Sequence, residues 1–316
     1  MSNQSAGQRV QTALKQAIES GLLSFEVEAR ATQLLTRLRQ PVRVAVMGMP
    51  HAGKSEIVNL LIGANTLRPD VKLPTLQMAY GERAETICTN SDGTKQTLET
   101  LNPAEIAALS PVFVEMRAPL PALGKISVLE VVAPNDPNAM HKASQWAAKR
   151  ADVALWCTKG FDATEQQVWA QMPDLTKDHA FLMVTHADVL RDQNTFDSVM
   201  YTLHTVAKDE FTQILAIEST NAIAARKPDG SVDKDLMRSS GGIALIQAVL
   251  RQVDLGKQSS IDTAEVLLQQ NADVLASLQE QEPVDEPAAA ETPEPTEEKT
   301  DIGSAAAGLN QIRSIA

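Results

Sequence analysis

The sequence predicts an α/β domain with a mostly parallel sheet, flanked by N- and C-terminal helices. Three observations predict it. β-rich runs alternate with helical stretches through the middle of the chain, a glycine-containing turn joins the first such run to a helix, and both flanks carry apolar residues at helical spacing.

The elements follow in order. In segment 1–40, Val10, Leu14 and Ile18, then Leu34, Leu35 and Leu38, recur every three to four residues, which predicts one or two helices with a break at Gly21. Pro41 stops the run, and the β-rich stretch 42–47 then ends at Gly48, followed by a helix over 56–61. Further strands are expected at 112–116, 126–132, 153–157, 180–185 and 213–218, with helices at 140–151 and 166–175 among them. Gly241, Gly242 and Ile243 open a helix through about 253, which closes a domain spanning 41–255. A second helix, 259–279 within segment 256–280, places Ile261, Ala264, Leu268, Ala272, Leu275 and Leu278 on one face. It is expected either to pack near the N-terminal helices or to lie on the domain surface by itself. Residues 281–302 are rich in Pro, Glu, Ala and Thr and are expected to form an acidic disordered linker. Residues 303–316 carry Leu309, Ile312 and Ile315, a short amphipathic end that is either a frayed tail or a docking segment for an unknown protein partner.

Charge narrows the function classes. The 316 residues hold 28 Lys and Arg against 40 Asp and Glu, a net charge of −12, so no nucleic-acid partner is expected. The acidity is local, because Glu280 to Asp301 contain nine acids and one base. Two cysteines, Cys88 and Cys157, have no metal-like spacing, and a reducing, cytoplasmic setting is the expectation. The start has no basic region followed by an apolar one, so no leader is expected, and no apolar run approaches the roughly 20 residues of a transmembrane segment. His141, His179 and His204 stand singly, and no zinc or iron site is read from them. Asp92-Gly93 is read as a hairpin turn.

The chemistry begins at Gly48-Met49-Pro50-His51-Ala52-Gly53-Lys54-Ser55, which fits G-x-x-x-x-G-K-[ST] at every fixed position, after a strand and before a helix. Glycines let successive backbone N–H groups face phosphate oxygens, and the helix N-terminus adds favourable partial charge. Lys54 is expected to reach the β- and γ-phosphates, and the Ser55 hydroxyl to bind Mg²⁺. The base is read from Thr185-His186-Ala187-Asp188, which follows the apolar run 181–184 and is similar to the guanine motif [NT]-K-x-D with His in place of Lys. A carboxylate at Asp188 can accept both N1–H and N2–H of guanine, and Ser219-Thr220-Asn221 stands where a final base-contacting loop would be.

The segments between these motifs resemble the dynamin-like GTPases over about 41–255. Pro74-Thr75 with Tyr80-Gly81 is similar to their first switch, 112–125 to the approach to the second, and 151–156 to the strand after it. The resemblance implies a P-loop GTPase domain with GTP/GDP and Mg²⁺ as cofactors. Ser55, Thr75 and Glu130 would be the metal-binding residues. Gly48, His51, Ala52, Gly53, Lys54, Ser55, Glu56, Thr185, His186, Asp188, Ser219 and Thr220 would surround the nucleotide. It also implies a nucleotide-dependent homodimer through the GTPase domain. Several positions depart from the pattern. Glu130-Val131-Val132-Ala133 stands where D-T-P-G is usual, Pro50 and His51 replace Gln and Ser, and Glu56 replaces a Ser or Thr that touches phosphate. Lys54, Thr75 and His51 are the catalytic candidates, His51 being either a substitute catalytic group or a solvated loop residue. Slow intrinsic hydrolysis is the expectation. The rival is a non-hydrolysing pseudo-GTPase acting as an interaction scaffold; an ATP-using P-loop protein fits only if the Asp188 assignment fails. The chain offers little length for a full stalk, and the sequence does not choose between membrane and protein for its hydrophobic end.

Overall fold

The computed structural model describes residues 2–227 and 229–276, with side chains from Ala6 onward; segments 281–302 and 303–316 lie outside them. The strands are β1 (Val42–Met47), β2 (Leu76–Tyr80), β3 (Glu85–Thr89), β4 (Lys95–Leu98), β5 (Phe113–Ala118), β6 (Ile126–Glu130), β7 (Val153–Thr158), β8 (Ala180–Val184) and β9 (Gln213–Ala216). The helices preceding β7 are α1 (Ser2–Glu19), α2 (Phe25–Arg39), α3 (Lys54–Ile62), α4 (Pro103–Ala108) and α5 (Pro137–Ala148). Those after it are α6 (Ala163–Ala170), α7 (Asp174–Lys177), α8 (Ala187–Asp192), α9 (Phe196–Val206), α10 (Ser219–Ala224), α11 (Lys234–Ser239), α12 (Gly242–Gln270) and α13 (Ala272–Ala276).

All nine strands join one sheet in the order β4-β3-β5-β2-β6-β1-β7-β8-β9. From β6 to β9 every pairing is parallel. β2 runs antiparallel to β6 and parallel to β5, and β3 turns antiparallel to both β5 and β4. The central strands are buried on both faces, as parallel strands covered by helices must be. Alternation sorts their side chains: Val44, Val46, Val128, Leu155 and Phe181 join one core with Ile57 and Val249, whereas Ala45, Met47, Leu129, Trp156 and Leu182 join the other with Met140 and Trp169. Both cysteines are buried and unpaired.

A third apolar cluster stands apart, built from Val10, Leu14 and Ala17 of α1, Leu34, Leu35 and Leu38 of α2, and Ile261, Ala264 and Leu267 of α12. Here the structure differs from the expectation of two C-terminal helices, because 242–270 is one helix. Gly256 does not break it: the apolar stripe continues from Leu245, Val249 and Val253 to Ile261, Ala264 and Leu267, so the same helix serves the sheet with its first half and α1 and α2 with its second. The N-terminal region is two helices, parted at Gly21, where φ is +67°.

The sheet also gains β2, β3 and β4, which the sequence pattern did not mark. β3 and β4 form a hairpin at the sheet edge, where the Asp92 carboxylate accepts the Thr94 N–H at 2.9 Å and Gly93 adopts φ +83°. Edge strands with one solvated face give short, mixed patterns, such as the exposed start of β4, and carry little apolar signal.

Candidate functional site

The site lies at the carboxyl ends of β1, β6, β7 and β8, the usual ligand edge of an open parallel sheet. β1 delivers the chain to Gly48, whose φ of +134° admits essentially only glycine and whose backbone presses on Cys157 of β7. The loop then turns through His51 at φ +62° and Gly53 at φ +75° into the N-terminus of α3, whose first backbone N–H groups have no intrahelical partner. Lys54 folds back over this loop, and its Nζ donates to the carbonyls of Gly48 at 2.9 Å and Met49 at 2.8 Å. The residue is only 8% exposed, and burial pushes its pKa below the ordinary lysine value, partly offset by the charge of Glu130.

Beside it the Ser55 hydroxyl donates to Glu130 Oε1 at 2.7 Å. Glu130 ends β6 and is buried; desolvation raises its pKa above the usual carboxylate range, against the Ser55 hydrogen bond and the Lys54 charge. An unfolded chain would ionise this carboxyl at lower pH, so the ligand-free fold loses stability as pH rises from the ordinary carboxylate pKa to the raised one. Glu130→Gln keeps an acceptor for Ser55 and removes that loss. The variant is expected to melt a few degrees higher than the parent at neutral pH, and no higher at acid pH, by scanning fluorimetry without ligand. A lower melting temperature at neutral pH would mean that the pairing with Lys54 outweighs desolvation.

Thr75 precedes β2, and its hydroxyl is engaged with the segment after β6: it accepts the Val132 N–H at 3.0 Å and donates to the Val132 carbonyl at 3.1 Å. The loop after β8 clasps the phosphate-type loop from the other side. Thr185 is fully buried, and its hydroxyl lies 3.0 Å from the Ala52 carbonyl and 3.1 Å from that of Thr158. His186, at φ +56°, holds its Nδ1 3.1 Å from the Thr185 hydroxyl, and its ring edges the space beside Gly53. Asp188 sits half-buried in the first turn of α8. Ser219 begins α10, with its buried hydroxyl making no hydrogen bond among the described residues, and Thr220 beside it is exposed. Glu218, the residue before α10, pairs with Arg191 of α8, which fixes these two loops together.

A cavity of about 530 Å³ brings together His51, Gly53, Lys54, Ser55, Glu56, Glu130 and His186. Thr75, Asp188, Ser219 and Thr220 do not line it. Three cations that the sequence reading passed over do: Arg68 and Lys72 from the segment after α3, and Lys159 at the end of β7. Lys159 carried one signal, its place directly after a strand that ends at the same edge as Gly48, but using it requires knowing that β7 neighbours β1. The cavity is thus rich in cations and suited to a polyphosphate. Among the described residues no group of three or more His, Cys, Asp and Glu is placed to hold a metal ion. The oxygen pair Ser55–Glu130 does suit Mg²⁺, which takes few protein oxygens and completes its shell with water and phosphate.

No family model matches the sequence, and no curated protein matches it. Solved structures do match. One chain of an oligomerised bacterial dynamin pair superposes with a TM-score of 0.61 at 13% identity, covering 89% of this chain and 59% of that one. A second chain from such a pair gives 0.53 at 18% identity, covering 81% of this chain and 43% of that one. The fold is that of a dynamin-like GTPase domain. A structure of Era with MgGDPNP and ribosomal RNA matches at a TM-score of only 0.34 and supports no argument. The dynamin-like chains are longer: this protein spans less than two thirds of either. The bacterial pair is described as sensing and tethering membranes at long range. No helix among the described residues of this chain is long and apolar enough to cross a membrane.

Proposed function

We propose that the protein binds GTP and GDP with Mg²⁺ in the 530 Å³ cavity and hydrolyses GTP slowly. The observation that carries the reading is the buried Lys54 directly beside the Ser55–Glu130 pair at the N-terminus of α3. Phosphate oxygens would lie over the backbone N–H groups of 48–55, and the Lys54 ammonium would exchange its two carbonyl partners for them. Ser55 directly, and Glu130 directly or through water, would hold Mg²⁺. When bound, the metal neutralises charge on the phosphates. Thr75 could join them only by releasing Val132, which makes the Thr75–Val132 contact the element that a nucleotide would switch. Lys72 and Lys159 supply further positive charge from the cavity walls, whereas Arg68 is paired with Asp70 at 2.7 Å.

Slow turnover follows from the same residues. Pro50 has no N–H to offer, Ala133 replaces a flexible glycine, and Glu56 brings a carboxylate into the phosphate cavity. Asp188, which lies outside the cavity lining in the first turn of α8, would read a guanine that extends past His186, whose ring is available to cover one face of the base. Calorimetric titration with GTP, GDP and ATP, each with Mg²⁺, tests the reading. Guanine nucleotides are expected to bind and ATP to bind far more weakly, and Asp188→Ala is expected to erase that preference, a loss of about 10²-fold or more. Binding of none of the three would sink the proposal.

A second reading, a pseudo-GTPase that holds one conformation for a protein partner, is favoured by the same Thr75–Val132 contact, whose two hydrogen bonds lock together the segments that would have to move. Release of phosphate from GTP at a rate above the protein-free control excludes it. A cytoplasmic location, pairing of GTPase domains and a partner for the C-terminal segment belong to the proposal as well.

A further inference from the structure

The described residues form a second cavity, of about 700 Å³ and open to solvent, at the opposite end of the central strands from the phosphate-type loop. Its walls come from four separate places: Arg39 to Arg43 where α2 passes into β1, Tyr80 at the end of β2, Ser127 at the start of β6, and Trp146 and Arg150 where α5 leads to β7. These ends meet because β1 and β6 are parallel while β2 runs against β6. The cavity takes part in neither the nucleotide site nor the cluster of α1, α2 and α12.

Three guanidinium groups, Arg39, Arg43 and Arg150, line it, and no carboxylate does. They are held differently. Arg43 is braced by Asp152 at 3.2 Å, and Arg150 lies over the Trp146 ring at 4.3 Å while donating to the Trp146 carbonyl at 3.0 Å. Arg39 has no acidic partner among the described residues. Neutral donors complete the lining: the hydroxyls of Ser127 and Tyr80 and the amide of Gln77 make no side-chain hydrogen bonds among the described residues, and Ser127 is only 8% exposed. In a chain with a net charge of −12, three exposed arginines around one open cavity, with Asp152 the single carboxylate paired to them among the described residues, run against the overall composition. Guanidinium groups match phosphate oxygens two at a time, and the volume falls in the usual range for small-molecule sites rather than that of an extended peptide groove.

We propose that this cavity is a second anion site, which binds a soluble, phosphate-bearing small molecule through Arg39, Arg43 and Arg150 at the junction of α2 with the sheet. The site does not depend on nucleotide binding at Lys54. Inorganic tripolyphosphate is the probe, titrated calorimetrically into the full chain at physiological salt. The titration is repeated for Lys54→Ala and, in that Lys54→Ala background, for the double variant Arg39→Ala with Arg150→Ala and for the lysine counterparts of those two changes. Binding is expected to persist in Lys54→Ala, to weaken at least tenfold in the double alanine variant, and to recover partly with lysines, which keep charge but lose the fork geometry. Acrylamide quenching locates it, since Trp156 and Trp169 are buried and Trp146 is 38% exposed: tripolyphosphate is expected to shield Trp146 in Lys54→Ala. Loss of all binding in Lys54→Ala, or unchanged affinity in the double alanine variant, overturns the proposal. Binding to vesicles containing a phosphorylated lipid, with no response to free tripolyphosphate, also overturns it and makes the headgroup the source of the phosphate.

Discussion

Lys54→Ala is expected to weaken GTP binding by about 10²-fold or more while leaving the fold intact. The ammonium is buried, with two neutral carbonyls as its hydrogen-bond partners, and burial already holds its pKa below the ordinary value. Phosphate oxygens are far better partners for such a cation, so the lost interaction belongs chiefly to the nucleotide complex. The ligand-free variant gives up an incompletely compensated buried charge, and the carbonyls of Gly48 and Met49 can turn to water in the cavity. Calorimetry with GTP and Mg²⁺, alongside thermal unfolding without ligand, separates the two effects. Unchanged affinity would remove Lys54 from the site; a fall in melting temperature as large as the fall in affinity would make it a structural residue.

Gly48→Ala carries the other large effect, and it acts through the fold. A Cβ at this position would lie 2.2 Å from the Cys157 carbonyl oxygen, with the Cys157 carbon and nitrogen at 3.1 and 3.2 Å. All three are backbone atoms of β7, which is held by β1 on one side and β8 on the other, so the neighbour cannot yield. The backbone at φ +134° adds strain for any residue with a side chain. The variant is expected to lose roughly 3 kcal/mol or more of stability in urea titration, and nucleotide binding with it, because the loop must lift away from β7. Gly256→Ala is the control. It lies inside α12 with nothing within 4 Å of an added Cβ, and it is expected to gain about 0.5–1 kcal/mol. A Gly48→Ala protein as stable as its parent would mean that the loop does not rest on β7.

The loop that these two predictions concern was legible in the chain because it is local. Eight consecutive residues carry the glycines at their left-handed positions, the lysine and the serine, and the adjacent apolar strand and helix place them. Glu130 was legible as a candidate through its position after an apolar run, and the structure puts its carboxylate on the Ser55 hydroxyl from 75 residues away. The bonds of Thr75 to Val132 were not legible, since they join two loops with no periodicity of their own. Nor was the single helix 242–270. A glycine and a polar stretch around 256 read as a boundary, and only the two cores on either side show why the helix continues.

By itself, then, the sequence determined the local features: the strand–loop–helix around Gly48 to Ser55, the alternation that makes a parallel sheet, and the acidic composition of 281–302. Each depends on neighbouring residues, through backbone dihedrals, side-chain periodicity or charge density. The tertiary structure decided which distant charges share a space. Strand order places Lys159 beside the phosphate-type loop, and the antiparallel run of β2 closes the opposite cavity around Arg39, Arg43 and Arg150. Strand order is settled by the packing of the whole sheet against its helices, and no short stretch of sequence encodes it.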